Sequence, residues 1–128
     1  MPTLEVGGSK QNSLPSRLQA NAVLLDASKL PNPYTTIDKG ILERKPRAII
    51  DWMLAKDTRS KAVLHELTRL GVEELAQGRD VRVQCYGGKD RSQAVACWIL
   101  DSVGCEIRAN VTVSCLDAEP MAELQLYK

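Results

Sequence analysis

Residues 81–103 read VRVQCYGGKDRSQAVACWILDSV, and the fold turns on how they divide. Val81, Val83 and Cys85 alternate with Arg82 and Gln84, the period of a β-strand. Tyr86 to Asp90 carry two glycines and form a tight loop. From Arg91 or Ser92 to Val103 the chain is apolar on most sides, which predicts a well-buried helix. A strand, a glycine loop and a buried helix make the core step of an α/β protein.

The flanking sequence repeats the step. NAVLLD (21–26) is a short continuous apolar run, as expected for a strand covered on both faces. It leads into ASKLPNPYTT, where two prolines force an extended turn. After Pro46, Ile49, Ile50, Met53 and Leu54 share one helical face. A longer helix over 60–77 carries Val63, Leu64, Leu67, Leu70 and Leu75 and stops near Gly78. TLEV near the start reads as a short strand, followed by a Gly/Ser/Asn/Pro-rich connection. In EIRANVTVSC (106–115) the alternation predicts one strand with a wet face, at or near a sheet edge. The tail, DAEPMAELQLYK, reads as a short helix. The predicted fold is an α/β layered sandwich, a mostly parallel sheet flanked by helices, in a single domain over 1–128.

Composition narrows the function. Seventeen basic and sixteen acidic residues give a net charge of +1, so any preference for anions must be local. The opening MPTLEVGGSKQ lacks the pattern of a secretory signal, and AVACWIL (94–100) is too short to span a bilayer. Membrane association is not expected. The four cysteines form no C-x-x-C pair and there is one histidine, so no metal site is expected, and a reducing cytoplasm is the simpler compartment. His65 has no partner at metal spacing, and Trp52 and Trp98 lie on apolar helix faces as core residues. No cofactor motif is present: Gly88-Lys89 is followed by Asp90, which rules out a Walker A loop.

Loop 86–92 has the chemistry of an anion cradle. Gly87 and Gly88 let backbone N–H groups converge on one anion, and the following helix adds the positive end of its dipole. Arg91 offers a planar fork to phosphate oxygens, Lys89 a point charge, and Ser92 a hydroxyl. The stretch also satisfies C-x-x-G-x-x-R-S and resembles the signature loop of the protein tyrosine and dual-specificity phosphatases. That resemblance implies Cys85 as thiolate nucleophile, Arg91 as phosphate ligand and Ser92 as helper of the leaving thiolate. It departs at Gln84, where those enzymes have histidine. The general acid would be Asp51 or, better placed in the turn AKDTRS, Asp57.

A second resemblance covers more of the chain. AVLLDASKLPNPY together with CYGGKDRS is similar to the C-terminal domain of the RapZ family of RNase adapter proteins, over about residues 5–115. That family pairs D-x-R-x-L-P-N-P-[HY] with G-C-T-G-G-x-H-R-S. The counterparts are Asp26, Leu30 to Tyr34, and Cys85 to Ser92. The resemblance implies a phosphosugar-binding domain that also meets RNA, with Tyr34 in the place of a ligand-contacting residue and Tyr86, Gly87 and Arg91 in the phosphate loop. The departures are Ser28 where the family has arginine, with Lys29 beside it, Asp90 for histidine and Tyr86 for threonine. The basic, RNA-associated tail is missing.

The expected function is therefore a binding module for a phosphorylated small molecule, phosphosugar or nucleotide, acting as sensor or sequestering protein. The expected ligand-binding set is Lys29, Asn32, Tyr34, Cys85, Tyr86, Gly87, Gly88, Lys89, Asp90, Arg91 and Ser92. A Cys-dependent phosphatase using Cys85 and Asp57 is the alternative. An RNA-binding adapter comes third, disfavoured by charge. A homo-oligomer that closes the site is left open.

Overall fold

The computed structural model describes residues 1–10, 13, 15–19, 21–32, 45–88, 90–117 and 120. Strand β1 (Thr3–Gly8) is followed by β2 (Val23–Asp26) and a 3-10 turn (Ala27–Lys29). Helices α1 (Pro46–Lys56) and α2 (Ser60–Ala76) lead to β3 (Val81–Cys85). Then come α3 (Arg91–Ser102), the short α4 (Cys105–Ala109) and β4 (Thr112–Ser114). The strands form one four-stranded sheet in the order β2-β3-β1-β4, with every pairing parallel. The α/β class and the parallel sheet are as the sequence predicted.

The order explains where each connection runs. From β1 the chain steps past β3 to β2, then turns back to β3, and then passes β1 to reach β4. Right-handed connections that run in opposite directions lie on opposite faces of a sheet. The helices accordingly cover the face bearing Leu4, Val6, Leu25, Val81 and Val83. The connection after β1 covers the other face, where Ser16 and Arg17 both bond Glu5. Helix α3 packs on β1, β3, α1 and α2 together, so Ala94 to Cys97, Ile99 and Leu100 are all buried.

Helix α2 ends where glycine was expected to end it. Gly78 has φ 79°, its N–H bonds Leu75 O at 3.0 Å, and the Arg79 N–H reaches Glu74 O at 2.9 Å. These two bonds satisfy carbonyls that the helix leaves open.

Two expectations are corrected. NAVLLD is not covered on both faces: β2 is an edge strand, and Leu24 is 55% exposed on the face away from the helices. A continuous apolar run does not distinguish an edge strand from an interior one. Nor is 106–115 one strand. Residues 105–109 form α4, because Gly104 in an extended conformation starts a helical turn that Arg108 N–H closes on Gly104 O at 2.9 Å. Glu106 in its first turn and Arg108 in its last suit the helix dipole. Only Thr112–Ser114 pairs with β1, at the predicted sheet edge. The predicted tail helix lies outside the described residues, save Asp117 and Pro120.

On the face away from the helices lies a buried ion pair. Glu5 and Arg82 are direct partners in the β1–β3 register, and Arg82 Nη1 bonds Glu5 Oε1 at 2.6 Å. Both are nearly inaccessible, at 3% and 8% exposure. Ser16 Oγ and the Arg17 N–H take up the remaining capacity of the carboxylate, while Gly8 O and Gln84 Oε1 accept from the guanidinium. Among the described residues, no helix is long and apolar enough to cross a membrane.

Candidate functional site

At the carboxyl ends of β3 and β2 a cavity of about 340 Å³ opens, lined by Lys10, Asn32, Cys85, Tyr86, Gly87, Asp90 and Arg91. Strand ends in parallel sheets are where α/β proteins hold ligands.

The loop is shaped by β1. Ser9 N–H donates to Cys85 O at 2.9 Å and to Tyr86 O at 3.1 Å, and Lys10 N–H donates to Tyr86 O at 3.0 Å. In a trans peptide the N–H points opposite to the C=O. The Tyr86 and Gly87 N–H groups are thereby directed away from β1's end, and neither has a partner among the described residues. Successive unpaired N–H groups of this kind make an anion-binding concavity.

Glycines allow the approach. Gly88 has φ 70°, and a Cβ there would lie 2.7 Å from both Gly7 C and Gly8 N. Gly88→Ala is expected to lower unfolding stability by roughly 2–4 kcal/mol, from left-handed strain plus overpacking against backbone. Urea melts of the two proteins measure it.

Cys85 is 3% exposed. Its thiol donates to Ser92 Oγ at 3.3 Å, and its sulfur accepts the Gly88 N–H at 3.3 Å. Ser92 is fully buried, so its hydroxyl reaches the sulfur and not the cavity.

Arg91 opens α3 and is 7% exposed. Its Nη1 donates to Ser28 O at 2.8 Å and Leu30 O at 3.0 Å, which ties α3 to the wall formed by residues 28–32. Nε and Nη2 have no hydrogen-bond partner among the described residues, although the side chain lines the cavity. Nearly buried guanidinium donors are costly to leave unpaired, and an anion is the partner they suit.

Asp26, at the end of β2, caps the 3-10 turn. The Ser28 hydroxyl, against the opposing push of burial, and then the Ser28 N–H and the charges of Lys29 and Arg91 hold its carboxyl below the ordinary range. Asp57 is similarly held down, first by the Arg59 N–H and then by the Arg59 charge.

The structure brings together most of the expected set. Asn32, Cys85, Tyr86, Gly87, Asp90 and Arg91 share the cavity wall; Gly88 and Ser92 support it from behind. Lys29 is exposed and is not part of the lining, nor is Asp57, which sits at the end of α1. Tyr34 and Lys89 lie outside the described residues. Sequence reasoning missed Lys10 and the pair Gly7-Gly8. The signal was a second glycine pair at the end of a strand, which marks close approach of another backbone.

Among the described residues, no group of three or more His, Cys, Asp or Glu is placed to hold a metal ion. No family model, no curated protein and no solved structure matches the chain.

Proposed function

We propose that the chain binds a phosphorylated small molecule in this cavity, with the phosphoryl group against Arg91 and the loop N–H groups. The observation that supports it best is Arg91: nearly buried, lining the cavity, half committed to the protein, and with no partner for Nε and Nη2 among the described residues. A volume of about 340 Å³ is at the small end of the range for ligand pockets, roughly 300–1,000 Å³, and suits a sugar phosphate or a nucleotide-sized ligand. Tyr86, 63% exposed at the rim, offers a ring face to such a ligand. Binding itself is then the output, as sensing or sequestration. RNA binding is the weaker reading, since a net charge of +1 supplies little counterion release.

The placement of Cys85 favours one second reading, phosphatase chemistry. Cys85 is among the residues lining the cavity, and its sulfur accepts a loop N–H. As a thiolate it would attack phosphorus, the alcohol would leave with a proton from a general acid, and water would then release phosphate. That acid must hold its proton until the bond breaks. Asp57 is held ionised by Arg59 and is not part of the cavity lining, which weighs against this reading.

Thermal shift and phosphate release, measured with phosphosugars, nucleotides and p-nitrophenyl phosphate, test the proposal. A ligand at one hundred times its Kd is expected to add about 2.7 kcal/mol of stability. Cys85→Ser is expected to keep affinity within about threefold, since a hydroxyl can also accept the Gly88 N–H. Turnover by wild type that disappears in Cys85→Ser would transfer the site to the phosphatases.

A further inference from the structure

Behind the loop, on the side away from Cys85 and Arg91, is a second cavity of about 580 Å³. Gly88, Gln93, Cys115 and Asp117 are among its lining residues. Gln93 lies in the first turn of α3, only 3% exposed, and all its bonds go to backbone. Nε2 donates to Gly88 O at 3.0 Å and to Cys115 O at 3.1 Å, while Oε1 accepts the Asp117 N–H at 2.9 Å. One amide thus pins the glycine loop and the turn after β4. Both of its donor hydrogens and its acceptor are used.

What it pins is unusual on each side. Gly88 has φ 70°, in the left-handed region that glycine enters without the penalty of a Cβ. Cys115 has φ 67°, the only non-glycine residue with positive φ among those described. A cysteine is rarely held there unless its surroundings impose it. Here Gln93 bonds the carbonyl of Cys115 itself and the N–H two residues on.

We propose that Gln93 is a positioning residue for anion binding. By holding the Gly88 carbonyl toward the rear cavity it keeps a negative dipole out of the front one, and it couples the loop to the turn at 115–117. Gln93 lines the rear cavity and is not among the residues lining the front one, so it acts through the loop and not on the ligand. The inference rests on the binding reading above. Without the amide, Gly88 is free to turn its carbonyl toward the phosphoryl oxygens, and the cradle becomes repulsive. Nothing in the C-x-x-G-x-x-R-S pattern demands glutamine here; the need comes from the turn behind.

The test uses inorganic phosphate as probe with wild type and Gln93→Met, which keeps length and burial but not the hydrogen bonds. Affinity is expected to fall at least about tenfold, the scale of one lost charge-assisted hydrogen bond. Gln93→Glu keeps the acceptor for Asp117 and loses both donations, so it is expected to bind no better than Gln93→Met. A purely structural role would lower the melting temperature and leave the phosphate Kd within about twofold, which overturns the proposal. Should Gln93→Met fail to fold, wild-type NMR decides. The Gln93 side-chain amide and Asp117 N–H signals are expected to move on titration with phosphate, and stationary signals beside a shifting Gly87 overturn it. Absence of any phosphate or phosphomonoester binding by wild type overturns the binding reading and this inference together. Wild-type binding that is unchanged in Gln93→Met overturns this inference alone.

Discussion

Arg91→Ala is expected to abolish binding of phosphorylated ligands and to lower the melting temperature by roughly 10 °C. The two effects have separate origins. Nη1 holds the carbonyls of Ser28 and Leu30, both drawn toward a side chain that is 7% exposed. Removing it leaves two acceptors without their charged donor, at about 3 kcal/mol in total. For a domain of this size that corresponds to the stated shift. Loss of binding is expected because Arg91 lines the cavity and its Nε and Nη2, without partners among the described residues, are the donors the proposed function assigns to the anion. Arg91→Lys separates the contributions. An ammonium can still reach the wall carbonyls but lacks the planar fork for phosphoryl oxygens, so part of the stability is expected to return and little of the affinity. Calorimetry with a phosphomonoester, alongside thermal melts, reads both.

The second large effect lies on the opposite face of the sheet. Glu5→Ala is expected to cost about 3–5 kcal/mol, because it leaves the Arg82 charge uncompensated in a nearly dry site. Replacing both members, as Glu5→Leu with Arg82→Met, is expected to recover most of that loss. The pair also contributes to the acid sensitivity of the fold. Burial pushes Glu5 upward, but the Ser16 hydroxyl, the Arg17 N–H and Arg82 together hold it below its ordinary value of 4.5. A depressed carboxyl contributes stability that is complete above its unfolded pKa and is lost as the pH falls through the lower folded value. Asp26 acts with the same sign from its ordinary value of 3.8. Stability is therefore expected to change little from these groups between neutral pH and about 5 and to decline below that. Glu5→Gln is expected to be less stable at pH 7 and to show a shallower decline in acid. Denaturant melts across pH 3–7 measure the difference.

How far the sequence carries this account depends on the range of the interaction. Local patterns were readable: the alternation of 81–85, the Schellman-type stop at Gly78 and the buried helix from Arg91 all appear as expected. The glycine loop was readable because C-x-x-G-x-x-R-S is a local pattern. Pairings between distant segments were not. Glu5 and Arg82 are 77 residues apart, and nothing local to VRVQC marks Arg82 as buried. The same holds for Gln93, whose three partners lie partly ahead in the loop and partly beyond β4. Lys10 joins the site because β1 ends beside β3, a neighbour relation that the sheet order supplies. Alternation misled at 106–110, where helix-start chemistry at Gly104 outweighed a period-two pattern with no strand beside it to pair.

The most direct test is a two-dimensional ¹⁵N NMR titration with inorganic phosphate and a sugar phosphate. The account predicts saturable shifts of the Tyr86, Gly87 and Gly88 amides and of Arg91 Nε–H, with no comparable change in Arg91→Ala. Shifts confined to surface lysines, or a loop that does not respond to either compound, would contradict it.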